Sequence, residues 1–387
     1  MLQRKKKTVI VAPLNWGLGH ATRCIPIIQA LEQAGATVIL ASDGGALDLL
    51  RREFPHLRAI ELPAYNIQYP FRSMIISMFF QGHKILRGCI LEYFYLKNLL
   101  KTEKIDVSIS DNRFGFFNRR VKSIFMTHQV QILMPIRFLQ PFVNAVNHFF
   151  IRRFDALWVP DVAENPNLAG DLAHGFFVEK LAKQLKIKYL GTLSRMKSFE
   201  TDIKYRAIIV LSGPEPQRTI LEEKILIQLD KFIGSNNNLL EKNEKGTPQY
   251  FDQFCLVRGI SNKKLDVKNI KNINKIEIHN VLTSKELNKK IMESDAVICR
   301  SGYSSLMDLV TLQKRAILIP TIGQTEQEYL AAELARQNRF ICQEQNALDL
   351  EHALSELPKT SGFTGFLQED ADKNETLRQV IRELLEF

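Results

Sequence analysis

Asp295-Ala-Val-Ile-Cys299-Arg300-Ser301-Gly302-Tyr-Ser-Ser-Leu-Met-Asp308 passes from an apolar run through a short polar turn into a helical segment with Asp308 near its start. A strand that leads through a tight loop into a helix is the half-unit of a parallel sheet. Ligands of such sheets bind beyond the carboxyl ends of the strands, so Arg300, Ser301 and Gly302 are expected to line a site. An Asp at position 308 can accept two hydrogen bonds from vicinal hydroxyls, or can serve only as a helix-start acid favoured by the macrodipole. One strand later, Ile319-Pro320-Thr-Ile-Gly323-Gln324-Thr325-Glu326-Gln327-Glu328 forms a second loop of the same kind. Thr325 and Glu328 have capping-box spacing, which would commit Glu328 to the helix start. Capping leaves Gln324 and Gln327 unexplained, and both suit a polyhydroxylated ligand.

Working outward, the same alternation of apolar runs and helical segments fills the chain. In the first half strands are expected at Thr8 to Ala12, Thr37 to Ser42, Leu57 to Glu61, Ile105 to Asp111, Ser123 to Thr127 and Ala156 to Pro160. Helices are expected at Thr22 to Ala34, at Ala46 to Arg52 and within Ile75 to Lys101. The second half repeats the pattern at Arg206 to Leu211, Phe254 to Arg258, Lys275 to His279, Ala296 to Arg300 and Arg315 to Pro320. The fold class is α/β, with two doubly wound domains: residues 1–190, a connector at 191–204, and residues 205–387, whose last helix, Asn374 to Leu385, packs back on the first domain. Gly234 to Tyr250 and Ser261 to Asn274, rich in Asn and Lys, read as surface insertions.

The 387 residues are 45% hydrophobic and 24% charged, which excludes a disordered or fibrous chain. Met74 to Phe80, the longest apolar stretch, is far shorter than the roughly 20 residues of a spanning helix. Five scattered cysteines without a C-x-x-C pair argue against a disulfide framework or zinc cage and fit a reducing cytosol. There is no H-E-x-x-H, and Asp370 to Asp372 lies in an acidic stretch rather than after a strand, so no metal site is expected. Residues 1–195 carry 26 Lys and Arg against 14 Asp and Glu, and the remainder 26 against 28. This excess of +12 in the first half suits an anionic partner or surface. Nucleic acid is not expected, because no recognition motif accompanies the charge.

Asn15-Trp16-Gly17-Leu18-Gly19-His20 follows the first strand and enters a helix, and its glycines allow a close approach of phosphate or substrate. A dinucleotide fingerprint, with Asp43 as its acid, is disfavoured because Thr22 replaces the third glycine. His20, Asp111 and His128 each fall at the carboxyl end of a strand and should share one edge. In Ser212-Gly213-Pro214-Glu215-Pro216 two prolines lack an N–H and Glu215 opposes an anion, although a proline suits a first helical turn.

The C-R-S-G-x-x-x-x-x-D element followed by G-Q-T-E-Q-E, with the N-terminal G-x-G-H loop, resembles the GT-B glycosyltransferases and is most similar to family 28, which includes the peptidoglycan N-acetylglucosaminyltransferases. The specific match covers Asp295 to Ala335. The resemblance implies two Rossmann-like domains facing a cleft, with a nucleotide sugar on the second and the acceptor on the first. It assigns Asp308 to the ribose, Gln327 and Glu328 to the sugar, and Val281, Leu282 and Thr283 to the base, with Gln324 nearby. The diphosphate falls to Ser212, Gly213 and Arg218 or to Ser301 and Gly302, and Arg300 joins the donor-binding residues. Glu328 stands where the family has an amide. The expected activity is metal-independent transfer from a UDP-sugar, such as UDP-N-acetylglucosamine, to a glycan or lipid-linked acceptor on the cytoplasmic side, with an anionic membrane surface as a partner. His20 is the expected general base and Asp111 its orienting partner, because histidine's ordinary pKa of about 6.5 suits proton removal near neutrality. Asn15, Gly17, Gly19 and His128 would form an acceptor or phosphate loop, His128 being the reserve base. Two alternatives stand beside this: a non-hydrolysing nucleotide-sugar epimerase, which products from donor alone would reveal, and a non-catalytic nucleotide-sugar-binding protein.

Overall fold

Val9, Ile10, Val11 and Ala12 are buried on successive positions, the mark of a strand covered on both faces. They belong to β1 (Thr8–Pro13), the centre of a seven-stranded parallel sheet with β2 (Thr37–Ser42), β3 (Arg58–Glu61), β4 (Val107–Asp111), β5 (Lys122–Met126), β6 (Ala156–Val159) and β7 (Lys186–Tyr189). The computed structural model describes residues 6–65, 81–236, 253–260, 270–363 and 375–386. It divides into two compact units, Met1–Arg195 with Gln368–Phe387, and Met196–Leu367.

In the first unit the order β3-β2-β1-β4-β5-β6-β7 reverses direction between β1 and β4. Helices α1 (Gly19–Gln33), α2 (Gly44–Glu53), α3 (Gly82–Thr102), α4 (Gln140–Ile151) and α5 (Phe176–Ala182) flank the sheet. The second unit pairs β8 (Tyr205–Val210), β9 (Phe254–Val257), β10 (Ile276–His279), β11 (Ser294–Cys299), β12 (Arg315–Leu318) and β13 (Ile341–Cys342) in the order β10-β9-β8-β11-β12-β13. Its helices are α6 (Gln217–Asn236), α7 (Ser284–Met292), α8 (Tyr303–Leu312), α9 (Thr325–Arg336) and α10 (Leu350–Glu356), and the core gathers around Ile209, Ile225, Phe254 and Ile298.

Apolar runs miss β7 and β13, and the reason is their position. Both are sheet edges; β7 alternates Lys186, Ile187, Lys188, Tyr189, and β13 has two residues. Gly234 to Asn236, expected to open an insertion, belong instead to α6. The end of the second expected insertion is also ordered, with Asn272 donating to Asp230 at 3.0 Å. Arg72, which with Lys84 and Arg87 flanks the apolar Met74 to Phe80, lies outside the described residues, as do that stretch, residues 237–252 and 261–269, and Asp370 to Asp372.

The last helix, α11 (Glu375–Leu385), packs on α1 of the first unit. Its buried Leu377, Val380, Ile381 and Leu384 form one helical stripe, and Glu383 pairs with Lys188 of β7. A second peculiarity is the connection from β4 to β5. Residues 112–121 cross between two parallel neighbours without a helix, and Phe114, Phe116 and Phe117 fill the space one would occupy. Phe114 stacks on Phe125 at 4.9 Å, and Phe117 meets Phe154 at 5.4 Å.

One buried cation ties these strand ends together. Arg113, fully buried, donates to Pro13 O (2.9 Å) and Glu92 (2.8 Å) and pairs with Asp43, so it joins the ends of β1, β2 and β4 to α3. Tyr65 and the Gly115 amide also donate to Glu92, at 2.6 and 3.2 Å. Removing one member of a buried ion pair leaves the other charge uncompensated, so Arg113→Met should cost about 3 to 5 kcal/mol. Urea denaturation is the check, and an unchanged midpoint would show that Asp43 and Glu92 do not depend on this cation.

Candidate functional site

The parallel register decides what meets in the first unit. Pro13 of β1 lies opposite Asp111 of β4, so the loop that starts α1 opens beside the end of β4. His20, in the first turn of α1, has Nδ1 at 2.9 Å from Asp111 Oδ1. Arg23, one turn further along, donates from Nε to Asp111 Oδ2 at 2.6 Å and from Nη2 to Oδ1, and its Nη1 donates to His128 Nδ1 at 2.8 Å. Cys24 adds a thiol contact to Oδ2 at 3.7 Å. Asp111 and Arg23 are buried, while the His20 side chain keeps 13% exposure.

Burial alone would raise the Asp111 carboxyl, but Arg23 and His20 outweigh it and hold it well below the usual carboxylate range. An ionised carboxylate only accepts, so the His20 contact requires a proton on Nδ1, which leaves Nε2 as the lone-pair nitrogen. Arg23 Nη2 also lies 2.9 Å from that Nδ1, but Asp111 Oδ1 serves both donors. His128 is the opposite case. It accepts at Nδ1 from a guanidinium, so its proton sits on Nε2, the reverse of the His20 tautomer. Arg23 was not singled out from sequence, although His20-x-x-Arg23 is the spacing that places two side chains on one helix face.

The remaining loop residues have structural employment. Asn15 donates to Asp43 (3.1 Å) and accepts from the Ala46 amide (3.2 Å), fastening the β1 loop to α2. Gly17 has φ +75°, a conformation glycine adopts without strain, and Gly19 opens α1. Asp43 is taken by Arg113 and Asn15, so the acid of the rejected dinucleotide fingerprint has other partners.

In the second unit the reversal falls between β8 and β11, where Cys299 lies opposite Val210, and this brings Ser212 and Gly213 beside Arg300, Ser301 and Gly302. Gly302 is the N-cap of α8 without a side-chain cap, which leaves that helix's first amides uncapped by a side chain. Asp308 is the sixth residue of α8 rather than in its first turn, so the macrodipole does not account for it. Ser301 Oγ donates to Gln327 O at 2.7 Å and couples the starts of α8 and α9.

Helix α9 begins at Thr325 with Gln324 as N-cap, so the expected box between Thr325 and Glu328 does not form. Glu328 reaches back instead to the Gly323 amide at 2.8 Å, and Gln327 Oε1 accepts from the Thr321 amide at 2.9 Å. Thr283 is itself a complete N-cap, its N–H given to Glu286, with Val281 half exposed and Leu282 beside it. Glu215 is turned onto its own helix, accepting from Arg218 Nε (2.7 Å) and the Thr219 amide (3.2 Å). Burial would raise this carboxyl, yet those hydrogen bonds hold it below its ordinary value. Arg218 is itself buried and shared between Glu215 and Glu222, and Glu222 also binds Arg258.

Two parallel sheets, each flanked by helices and each reversing at its centre, define the GT-B architecture. Solved structures with this fold cover nearly all of the chain. They include the glycotransferase of kitacinnamycin (14% identity, TM-score 0.62, 99% of this chain and 96% of that one) and a UDP-glucosyltransferase from Polygonum tinctorium (11%, 0.62, 100% of both). Arabidopsis thaliana UGT89C1 complexed with UDP-L-rhamnose is similar at 12% identity and TM-score 0.60, over 99% and 95%. No curated protein sequence matches the chain. Residues 228–384 match the glycosyltransferase family 28 C-terminal domain. The chain has the GT-B fold, and its C-terminal part carries the likeness to family 28.

Proposed function

We propose that the chain transfers a sugar from a UDP-linked donor, with N-acetylglucosamine the favoured sugar, to a hydroxyl of a glycan or lipid-linked acceptor, without a divalent cation. The observation that carries the reading is the family 28 match, because it spans Asp308 of α8 and Gln327 and Glu328 in the first turn of α9. Asp308 would take the ribose hydroxyls, the amide of Gln327 and the carboxylate of Glu328 the sugar, and the backbone of residues 281–283 the base. Among the described residues no group of His, Cys, Asp and Glu is placed to hold a metal ion.

His20 is the general base of this reading. Its Nε2 removes the acceptor hydroxyl proton, the freed oxygen attacks the anomeric carbon, and the bond from that carbon to the diphosphate breaks, releasing UDP. Asp111 keeps Nδ1 protonated and balances the imidazolium that forms. Arg23 tempers this, because a carboxylate already paired with a guanidinium stabilises a second cation less than a free one. His128, held as an Nε2 donor, suits an acceptor oxygen or phosphate rather than the base role.

A lipid link is supported by the surface of the first unit. Leu86, Ile90 and Phe94 are about half exposed along α3, beside a groove of about 450 Å³ that Phe117, Phe150 and Arg153 also line. Lys84 and Arg87 lie on the same helix, and such a row of apolar and basic residues suits the face of an anionic membrane on the cytoplasmic side. No described helix is long and apolar enough to cross a membrane.

Three measurements follow from this reading. Titration calorimetry should show UDP binding that weakens by about 1 to 3 kcal/mol in Asp308→Ala, the scale of a lost hydrogen-bonding partner; an unchanged affinity removes Asp308 from the site. Turnover with UDP-N-acetylglucosamine should persist in EDTA and fall about 100-fold to 10,000-fold in His20→Ala with donor affinity retained. Near wild-type turnover in that variant would place the base elsewhere. Asp111→Asn is the less clean variant, because it leaves Arg23 buried without its counter-charge. Finally, the protein should sediment with anionic vesicles at low salt and not with neutral ones, and equal binding to both would reject the membrane face.

A further inference from the structure

Two side chains at the reversal of the second sheet are buried with hydrogen-bonding capacity unspent. The Arg300 side chain, 1% exposed, is fixed by three carbonyls: Nη1 donates to Ile319 O (3.1 Å) and Pro320 O (3.0 Å), and Nη2 to Gln217 O (3.0 Å). Its Nε has no partner. Thr321, also 1% exposed, gives its N–H to Gln327 and its carbonyl to the Gln324 amide, while its Oγ1 has no partner either. Both free atoms border the same space, the one above Gly213: a Cβ built on that glycine would lie 3.5 Å from Thr321 Oγ1 and 3.9 Å from Arg300 Nε. Gly213 has φ +104°, a conformation that favours glycine, and a Cβ there would stand in van der Waals contact with both atoms.

The chemistry of the absent partner is constrained. Nε–H can only donate, and the hydroxyl can donate alongside it, so the partner is an acceptor reaching two donors at once. The acids nearby in sequence are already engaged, Glu215 with Arg218, and Glu222 with Arg218 and Arg258. The only polar groups that Arg300 meets through hydrogen bonds are neutral carbonyls, so its buried charge faces no carboxylate among the described residues. Burial pulls its pKa down to about 10, which still leaves it cationic at neutral pH. A buried cation without a counter-charge is costly, and an anionic oxygen relieves it.

We propose that Arg300 Nε and Thr321 Oγ1, over Gly213, seat a non-bridging oxygen of the donor's diphosphate. The assignment rests on the nucleotide-sugar reading above and adds Thr321, which neither the motif nor the family resemblance singled out. It also answers the difficulty posed by Pro214, Glu215 and Pro216: the anion is taken by one fixed guanidinium N–H and one hydroxyl rather than by a loop of amides.

The test uses an asymmetry between stability and binding. Because the Thr321 hydroxyl has no partner in the protein, Thr321→Val should melt at or above the wild-type temperature without ligand, whereas a structural hydroxyl would make it melt lower. The same variant should bind UDP about tenfold more weakly and bind uridine unchanged, with Thr321→Ser restoring UDP binding. Equal UDP affinity in wild type and Thr321→Val, or a loss shared equally by uridine, overturns the seat. Pyrophosphate alone separates this proposal from the one beneath it. If pyrophosphate raises the melting temperature of wild type but not of Thr321→Val while no nucleotide binds, the anion seat stands and the nucleotide-sugar reading falls. If pyrophosphate leaves wild type unmoved, the seat falls.

Discussion

A parallel strand reaches its parallel neighbour only by crossing over, so every loop that leaves a strand's carboxyl end emerges on the same edge of the sheet. In each unit the strand order also reverses at the centre, between β1 and β4 and between β8 and β11. Loops on either side of a reversal depart in opposite directions and leave a notch between them. The placement of His20 against Asp111, and of Gly213 against Arg300, is a consequence of that constraint. Neither pair is close in sequence, and both are brought together by register.

At those notches the chain accepts buried charge, and it does so by two different rules. In the first unit the charges are matched: Asp111 with Arg23 and His20, Arg113 with Asp43 and Glu92. In the second unit Glu222 serves Arg218 and Arg258, while Arg300 is held by carbonyl dipoles alone. Matched charges fix geometry and offer little to a ligand. An unmatched cation invites one, so the two notches suit different work, positioning a titratable ring in one and receiving an anion in the other.

The sheet interiors were legible in the sequence because strands buried on both faces are written as unbroken apolar runs. Edge strands were not, since Lys186–Tyr189 alternates lysines with single apolar residues and Ile341–Cys342 is held by pairing to β12 rather than by pattern. That His20 and Asp111 share an edge could be read from strand order. The identity of the third member could not, because Arg23 looks like any charged residue of a surface helix until the tertiary structure buries it. Thr321 carried no signal at all. Its hydroxyl matters through what it fails to bond, and an unsatisfied atom has no signature in a linear text. Glu328 shows the converse, where a motif with the right spacing was displaced by one residue when Gln324 took the cap.

The return of α11 to α1 makes the first unit discontinuous along the gene. The second unit is, in effect, an insert: one unbroken segment, Met196–Leu367, set between two pieces that fold with each other. Recombination can therefore exchange the inserted segment as a single cassette with two junctions. The first unit cannot be obtained by truncation, because stopping the chain after Arg195 would strip the stripe of Leu377, Val380, Ile381 and Leu384 from α1 and expose apolar surface to water. Exchange is thus easier in one direction, with a new inserted unit carried on an old host.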